Sequence, residues 1–563
     1  MGTTADKLNY LLETKEAIKG AIEAKGVSVS EDATFRSYAD KIGDIQSGGG
    51  GGGDTPPPPS GGAVNFRDYD GTILHSYTKD DFLALVEMPT LPTRQGLTCQ
   101  GWNYTLEDAR AYVDEYGKLD IGATYITDDG KTRLYITIAA EGRMDVPLYI
   151  GQTITNGVSI NWGDGSTSET LEGTGSVTAT HHYNEIGNYI ITLEVADECT
   201  LTLGHSSSSL CVMGNNTGVY CNMLKKVEVG MSVKNITMYA FSGCNSLVSI
   251  TLPQNIISIG TESFRVCYSL KSIVIPSSVT TIWGYAFRAC ASLTSVSIPK
   301  GVTTIKSQAF YYCYSLTSVI IPSSITIING ETFHYCYALV SVVIPSSVTS
   351  ISTRCFARCY SLNSVVMSEG LKTIGGQAFD SCYSLASIVI PQSVTTIESQ
   401  AFINCYSLNS VALPTNVNKI GYYNGSAFSN CYALSSIVIP QGNTVIYSQN
   451  FQKCVALSSI VIPEGVTTIE ASAFLGCYSL TSITVPSSVT SIGQNAFQDC
   501  SGMAFYDFSA LLAIPTLSAT SAFLNIPSDC KIIVPDSLYD SWIAASNWST
   551  YASQIIKASE YNE

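Results

Sequence analysis

The sequence predicts a mostly β, multidomain protein: a solenoid of about twelve stacked 23-residue coils, preceded by two smaller β modules and a short helical segment. Three observations predict it. Phe-x-x-Cys recurs twelve times, at Cys244, Cys267, Cys290, Cys313, Cys336, Cys359, Cys382, Cys405, Cys431, Cys454, Cys477 and Cys500, in steps of 23 residues with one of 26. Only 13% of the 563 residues are charged while 45% are hydrophobic, whereas a usual charged share is about 25%. Ser, Thr, Gly, Asn and 33 Tyr fill the gap, the make-up of a repetitive β-rich surface.

Residues 1–47 read as a helical attachment segment, with Leu8, Leu11, Leu12, Ile18 and Ile22 at helical spacing and Gly26 as the stop. Its apolar face can pack on a partner or trimerise, which allows a homo-oligomer, or it can close on itself as a self-contained helical hairpin. Residues 48–62 read as a linker of six glycines (48–53) and four prolines (56–59).

Residues 63–145 begin with Val64-Asn65-Phe66-Arg67-Asp68-Tyr69-Asp70-Gly71-Thr72 and continue to Gly96-Leu97-Thr98-Cys99-Gln100-Gly101-Trp102. Strand, Asp-Gly turn, strand and a Gly-x-x-x-x-Gly-Trp closing strand is the order of a small β-grasp-like unit. It resembles the internalin-type B repeat of cell-surface proteins. In residues 146–204, Trp162-Gly163-Asp164-Gly165-Ser166, His182-Tyr183 and Gly187–Leu193 supply a tight turn, a corner and an alternating strand. These residues resemble a polycystic-kidney-disease (PKD)-like β-sandwich, in which Asp164 and His182 are turn and corner residues rather than a catalytic pair.

The solenoid is expected over 205–508. In the copy Leu385-Ala386-Ser387-Ile388-Val389-Ile390-Pro391, Ile388 and Ile390 share one strand face and Pro391 ends the pairing. Val394 and Ile397 return across the core, and Ala401–Cys405 is expected to make a helical turn with Phe402 and Cys405 inward. One copy cannot cover that face, so neighbours stack. The period with Leu-x-x-Ile-x-Ile is that of a leucine-rich-repeat solenoid. It closely resembles the bacterial surface-antigen (BspA-type) leucine-rich repeat family, which implies adhesion or recognition without catalysis in the repeats. Residues 509–563, with Trp542 and Trp548, are expected to form a C-terminal cap that closes the last coil.

Twelve cysteines at one inward position read as small core hydrophobes with free thiols, and no metal or cofactor is expected. Tyr follows the ladder Cys in eight copies: Tyr268, Tyr314, Tyr337, Tyr360, Tyr383, Tyr406, Tyr432 and Tyr478. Either these rings pack inward, or they form a rim whose flat faces and hydroxyls bind a sugar or protein ligand. The open sheet face carries Ser at one place in eleven copies, from Ser249 to Ser482, mostly with Val, Thr or Ile two residues on. Such a face suits neutral glycans or flat protein surfaces.

The net charge of −16 and pI near 4.8 argue against nucleic acid. No run of 18 apolar residues occurs, so no membrane insertion is expected. No nucleophile elbow, phosphate loop or zinc motif is present, and no catalytic residue is assigned. The first expectation for the whole is a non-enzymatic phage tail-fibre or receptor-binding component of the virion. It would dock on a tail or baseplate protein through residues 1–47 and contact a bacterial surface receptor, protein or glycan, through the solenoid. This rests on the N-terminus showing no export signal. The alternative is a bacterial cell-surface adhesin of the same repeat type that binds host protein or glycan. A glycan-cleaving tail protein comes third, because glycosidase carboxylates are set by spatial distance.

Overall fold

The computed structural model describes residues 64–204, 210–215 and 219–561. The helical segment expected over 1–47 and the linker over 48–62 lie outside the described residues.

Residues 64–127 form a mixed sheet of β1 (Val64–Arg67), β2 (Ile73–Tyr77), β3 (Leu97–Trp102) and β4 (Leu119–Thr127), in the order β2-β1-β4-β3. The central pair β1–β4 is parallel and the outer pairs are antiparallel. Helices α1 (Lys79–Leu83) and α2 (Leu106–Tyr116) connect them, over a core that includes Phe66, Phe82, Trp102 and Val113. The strand–Asp-Gly–strand expectation corresponds to β1 and β2. The Gly96–Trp102 strand does not close the sheet, however, because α2 and β4 follow and β4 takes the centre. The start and stop of α2 are written locally: Thr105 Oγ1 accepts a bond from the Asp108 amide, and Gly117 ends the helix at φ 77°.

A β-sandwich follows, built from β5 (Thr132–Ile138), β6 (Asp145–Gln152), β7 (Val158–Asn161), β8 (Glu169–Thr170), β9 (Gly175–His182), β10 (Gly187–Val195) and β11 (Leu201–Leu203). It therefore takes in β5, which lies ahead of residue 146. The reason is the strict alternation of Thr132–Ile138, which buries Leu134, Ile136 and Ile138. Trp162 and Tyr183 are fully buried, and Tyr183 Oη donates to the Trp162 carbonyl at 2.8 Å.

A hairpin of β12 (Leu210–Cys211) and β13 (Gly214–Asn215) leads to β14 (Leu224–Glu228). β14 lies antiparallel to β5 and parallel to the strand Ser249–Thr251. One sheet thus runs from the sandwich into the solenoid.

The solenoid has two parallel ladders, one of strands such as Ser387–Val389 and one of shorter strands such as Thr373–Ile374. Between them Leu385, Ile388, Ile390, Val394, Ile397, Phe402 and Cys405 are buried as the copy predicts. Ladder phenylalanines from Phe241 to Phe497 stack ring on ring, 5.1–6.0 Å between neighbouring centroids. The sequence Ala401–Cys405 is not helical. It is a pair of tight turns, with Gln400 and Asn404 near φ +60°. The amides of Gln400, Phe402 and Asn404 donate to Gly425, Ala427 and Ser429 of the next coil, which takes the bonds a helix would need internally.

The solenoid has about fourteen coils rather than twelve. Lys531–Val534 and Ile555–Lys557 extend the open sheet in parallel beyond the last Phe-x-x-Cys. Helix is limited there to α3 (Tyr539–Ile543) and single turns. Trp542 and Trp548 are fully buried against Phe508.

Candidate recognition surface

Each strand of the open sheet sends its middle residue into the core and its first and third residues outward, because side chains alternate across a strand. The outward stripes are the eleven serines and, two residues on, Thr251, Val274, Ser297, Ile320, Val343, Val366, Val389, Ala412, Val438, Val461 and Thr484. The backbone repeats along this sheet, but exposure does not. Val274 is 6% exposed and Val343 5%, whereas Val389 is 70% and Val438 68% exposed.

The 64–127 module lies on the first part of the sheet and causes the difference. Ser272 Oγ donates to the Tyr69 carbonyl at 2.9 Å, and Ser297 Oγ to the Asp120 carbonyl at 2.8 Å. The Asn103 amide donates to the Ile275 carbonyl at 3.1 Å and to Ser297 Oγ at 2.8 Å. Tyr104 and Tyr112 hydroxyls reach the Ile298 and Ile321 carbonyls, and Lys118 Nζ reaches Ser341 Oγ. Ile320 joins the module's own core. Gly122 allows the closest approach: a Cβ there would sit 2.5 Å from Val274 Cγ1. From Ser364 to Thr484 none of the described residues lies over the outward stripes, and Val366, Val389, Val438 and Val461 form a neutral apolar row beside exposed serines.

The tyrosine stripe takes an arrangement between the two that were expected. Tyr314, Tyr337, Tyr360, Tyr383, Tyr406 and Tyr432 stack on one another, with centroids 4.6–4.9 Å apart and ring planes within 21°. Their flat faces are used within the stack, so the rim shows edges and hydroxyls rather than faces. Tyr268 and Tyr478 lie apart from the stack, beyond coils that carry Ala291 and Val455 in the tyrosine's place, and both are exposed. Burial, with Tyr383 and Tyr432 close by, pushes the Tyr406 phenol up to about 12.

The histidines of the sandwich pair with nearby carboxylates. Asp164 Oδ2 meets His181 Nε2 at 2.7 Å, not His182, which pairs instead with Asp145 at 2.8 Å. His181 stacks on Trp162, and Asp164 Oδ1 accepts the Ser166 amide, so Asp164 holds the turn the sequence predicts. The ladder cysteines do more than fill space. From Cys267 to Cys500 all eleven donate Sγ–H to the carbonyl of the phenylalanine one coil back, at 3.1–3.4 Å. Burial raises their pKa well above the ordinary thiol value, so they are neutral donors. Invariance along the ladder, where Ala or Val would fill the space equally, is the signal that could have revealed this bond.

The BspA type leucine rich repeat region matches residues 213–340, 326–424 and 423–540, which together span more than half of the chain. A leucine-rich repeat protein from Bacteroides ovatus is 24% identical over 72% of this chain and 99% of its own, with a TM-score of 0.56, and shares the fold. A leucine rich cell surface protein from Faecalibacterium prausnitzii is 31% identical, covering 52% of this chain and 85% of its own, with a TM-score of 0.34. The pneumococcal vaccine antigen PcpA is 17% identical, covering 62% and 92%, with a TM-score of 0.33. No curated protein matches the chain. With the ladder, the paired sheets and this match in hand, the chain belongs to the BspA-type leucine-rich repeat family.

Proposed function

We propose that this is a recognition protein of the bacterial cell-surface, adhesin kind, which binds a partner protein on the uncovered part of its open sheet, Ser364 to Thr484. The observation that carries this is the change in exposure along one repeating surface: the same Ser-x-Val face is filled by the chain's own module early on and left bare later. The covered part supports a protein as the partner. It engages a β-rich protein surface, using serine hydroxyls against backbone carbonyls and valine against glycine. The bare part offers the same neutral, apolar and hydroxylated chemistry, which suits protein far better than a polyanion. Its role is binding rather than catalysis, in keeping with the family.

Members of this family are typically found at the cell surface, which favours the adhesin over the virion reading. The tail-fibre reading, with docking through residues 1–47, depends on a segment outside the described residues. Among those described, no helix is long and apolar enough to cross a membrane.

The test is adhesion of the purified full chain to intact bacterial and host cells. Val389→Arg with Val438→Arg should weaken it at least about tenfold, the loss expected when a central apolar contact is replaced by charge. Tyr383→Ser with Tyr406→Ser should leave it within about twofold, since altering the rim of an interface costs little. The reverse pattern would move recognition to the tyrosine rim; no change in either variant would overturn the proposal.

A further inference from the structure

One cysteine of the ladder breaks its rule. Cys244 opens the series, and its sulfur lies within 4.8 Å of those of Cys211 and Cys221. All three are fully buried, and the Cys211 and Cys221 sulfurs are 2.7 Å apart. That is inside the van der Waals contact of two sulfurs and a short movement from the roughly 2.05 Å of a covalent bond.

The cluster sits where a solenoid needs closing. Cys211 is in the β12–β13 hairpin, Cys221 in the turn of helix that follows, and Cys244 in the first coil. The Val212 amide of the hairpin donates to the Ala240 carbonyl of that coil at 2.8 Å, and the Val212 carbonyl accepts from Tyr149 of β6 at 2.9 Å. Val212 and Met213 are fully buried, so this hairpin covers the open end of the ladder and joins it to the sandwich.

Two chemistries suit three clustered thiols. A soft metal ion would need them as thiolates. Among the described residues no carboxylate or imidazole joins the group. Three thiolates around a divalent ion would also leave a net negative charge in an apolar interior, at high cost. A disulfide is neutral and carries no such penalty.

We propose that Cys211 and Cys221 form a disulfide that staples the hairpin cap over the first coil. Sulfur bonds to sulfur as the two thiols give up two protons and two electrons to a disulfide donor, whose own bond breaks and leaves as two thiols. Because both sulfurs are sequestered in the folded chain, the bond forms while the cap is folding and afterwards resists reductants added to native protein. The eleven ladder thiols from Cys267 to Cys500, each donating to a carbonyl, stay reduced.

The test uses the full chain, refolded in a mixture of oxidised and reduced glutathione, then denatured, alkylated and weighed. Of eighteen cysteines, two should escape, giving sixteen alkyl groups and a mass lower by two hydrogens, with peptide mapping placing the link between Cys211 and Cys221. The oxidised chain should melt higher than chain refolded with reductant. The double variant Cys211→Ala, Cys221→Ala should melt at one temperature in both buffers. Eighteen alkyl groups after oxidative refolding, a link through any other cysteine, or a stoichiometric metal ion released on denaturation would each overturn the proposal. The mass result decides even if the double variant fails to fold.

Discussion

The early and late stretches of the open sheet are built from the same repeat, and they end in different states. Val274 and Val389 occupy one position of the coil, on strands of like register, with a serine two residues before each. One lies under Gly122 and the other is open. The difference comes from a separate module laid over five outward positions, Thr251 to Val343, and not from the coil. A repeat of this kind is a general surface whose use depends on what is placed upon it. The early stretch behaves as protein interior, and the late stretch remains an exposed row of valines and serines.

The sharpest way to break the comparison is one substitution made at both places. Val274→Arg puts an unpaired charge under the module and should cost roughly 3 kcal/mol or more. Val389→Arg should stay within about 0.5 kcal/mol, as surface changes do. Urea unfolding of the two variants measures both. Similar losses at the two sites would mean that the late stretch is structural, and the contrast would fall.

Next in size is the fit between module and sheet. Gly122→Ala forces a methyl to within 2.5 Å of Val274 Cγ1, and overpacking of this kind costs about 1–3 kcal/mol. Adding Val274→Ala should restore part of that loss, a coupling visible in a double-mutant cycle. Asn103→Ala should cost about 1–3 kcal/mol, because its side chain also accepts the Gly122 amide at 2.8 Å and leaves buried partners unmet when removed. If unfolding shows Asn103→Ala to be neutral, the module is held by shape alone.

The coil was legible in the sequence because its period, its inward Phe and Cys and its closing Pro are all local requirements repeated many times. The outward face was legible too, as the Ser-x-Val stripe. That part of it is covered was not, since Ser272-Ile273-Val274 and Ser387-Ile388-Val389 read alike and docking depends on the shape of a distant segment. The non-helical turn at Ala401–Cys405 was hidden for a related reason. Local propensity permits a helix there, and only bonds to the next coil decide against it. Helix α2 is legible in its Thr105 cap and Gly117 stop, but the expected unit closes one element earlier, at the Gly96–Trp102 strand. The tyrosine stripe was visible as a spacing, while the use of its faces follows from the distance between coils.

The smallest expected effect lies at the edge of the covered stretch. Lys300 Nζ of the solenoid meets Asp108 Oδ1 of α2 at 2.7 Å, with both side chains partly open to solvent. The ammonium holds the Asp108 carboxyl below its ordinary 3.8, since Lys300 bonds the charged form. A carboxylate whose folded pKa is depressed contributes stability above its unfolded value and loses it as pH falls through the folded one. The contribution is therefore complete at neutral pH and fades below about pH 4. Lys300→Met should cost only about 0.2–1 kcal/mol at pH 7, less in high salt. Its unfolding free energy should converge with that of the unaltered chain in acid. A larger loss, indifferent to salt, would show that this pair closes the module onto the sheet rather than bordering it, and the covered stretch would then depend on charge as well as fit.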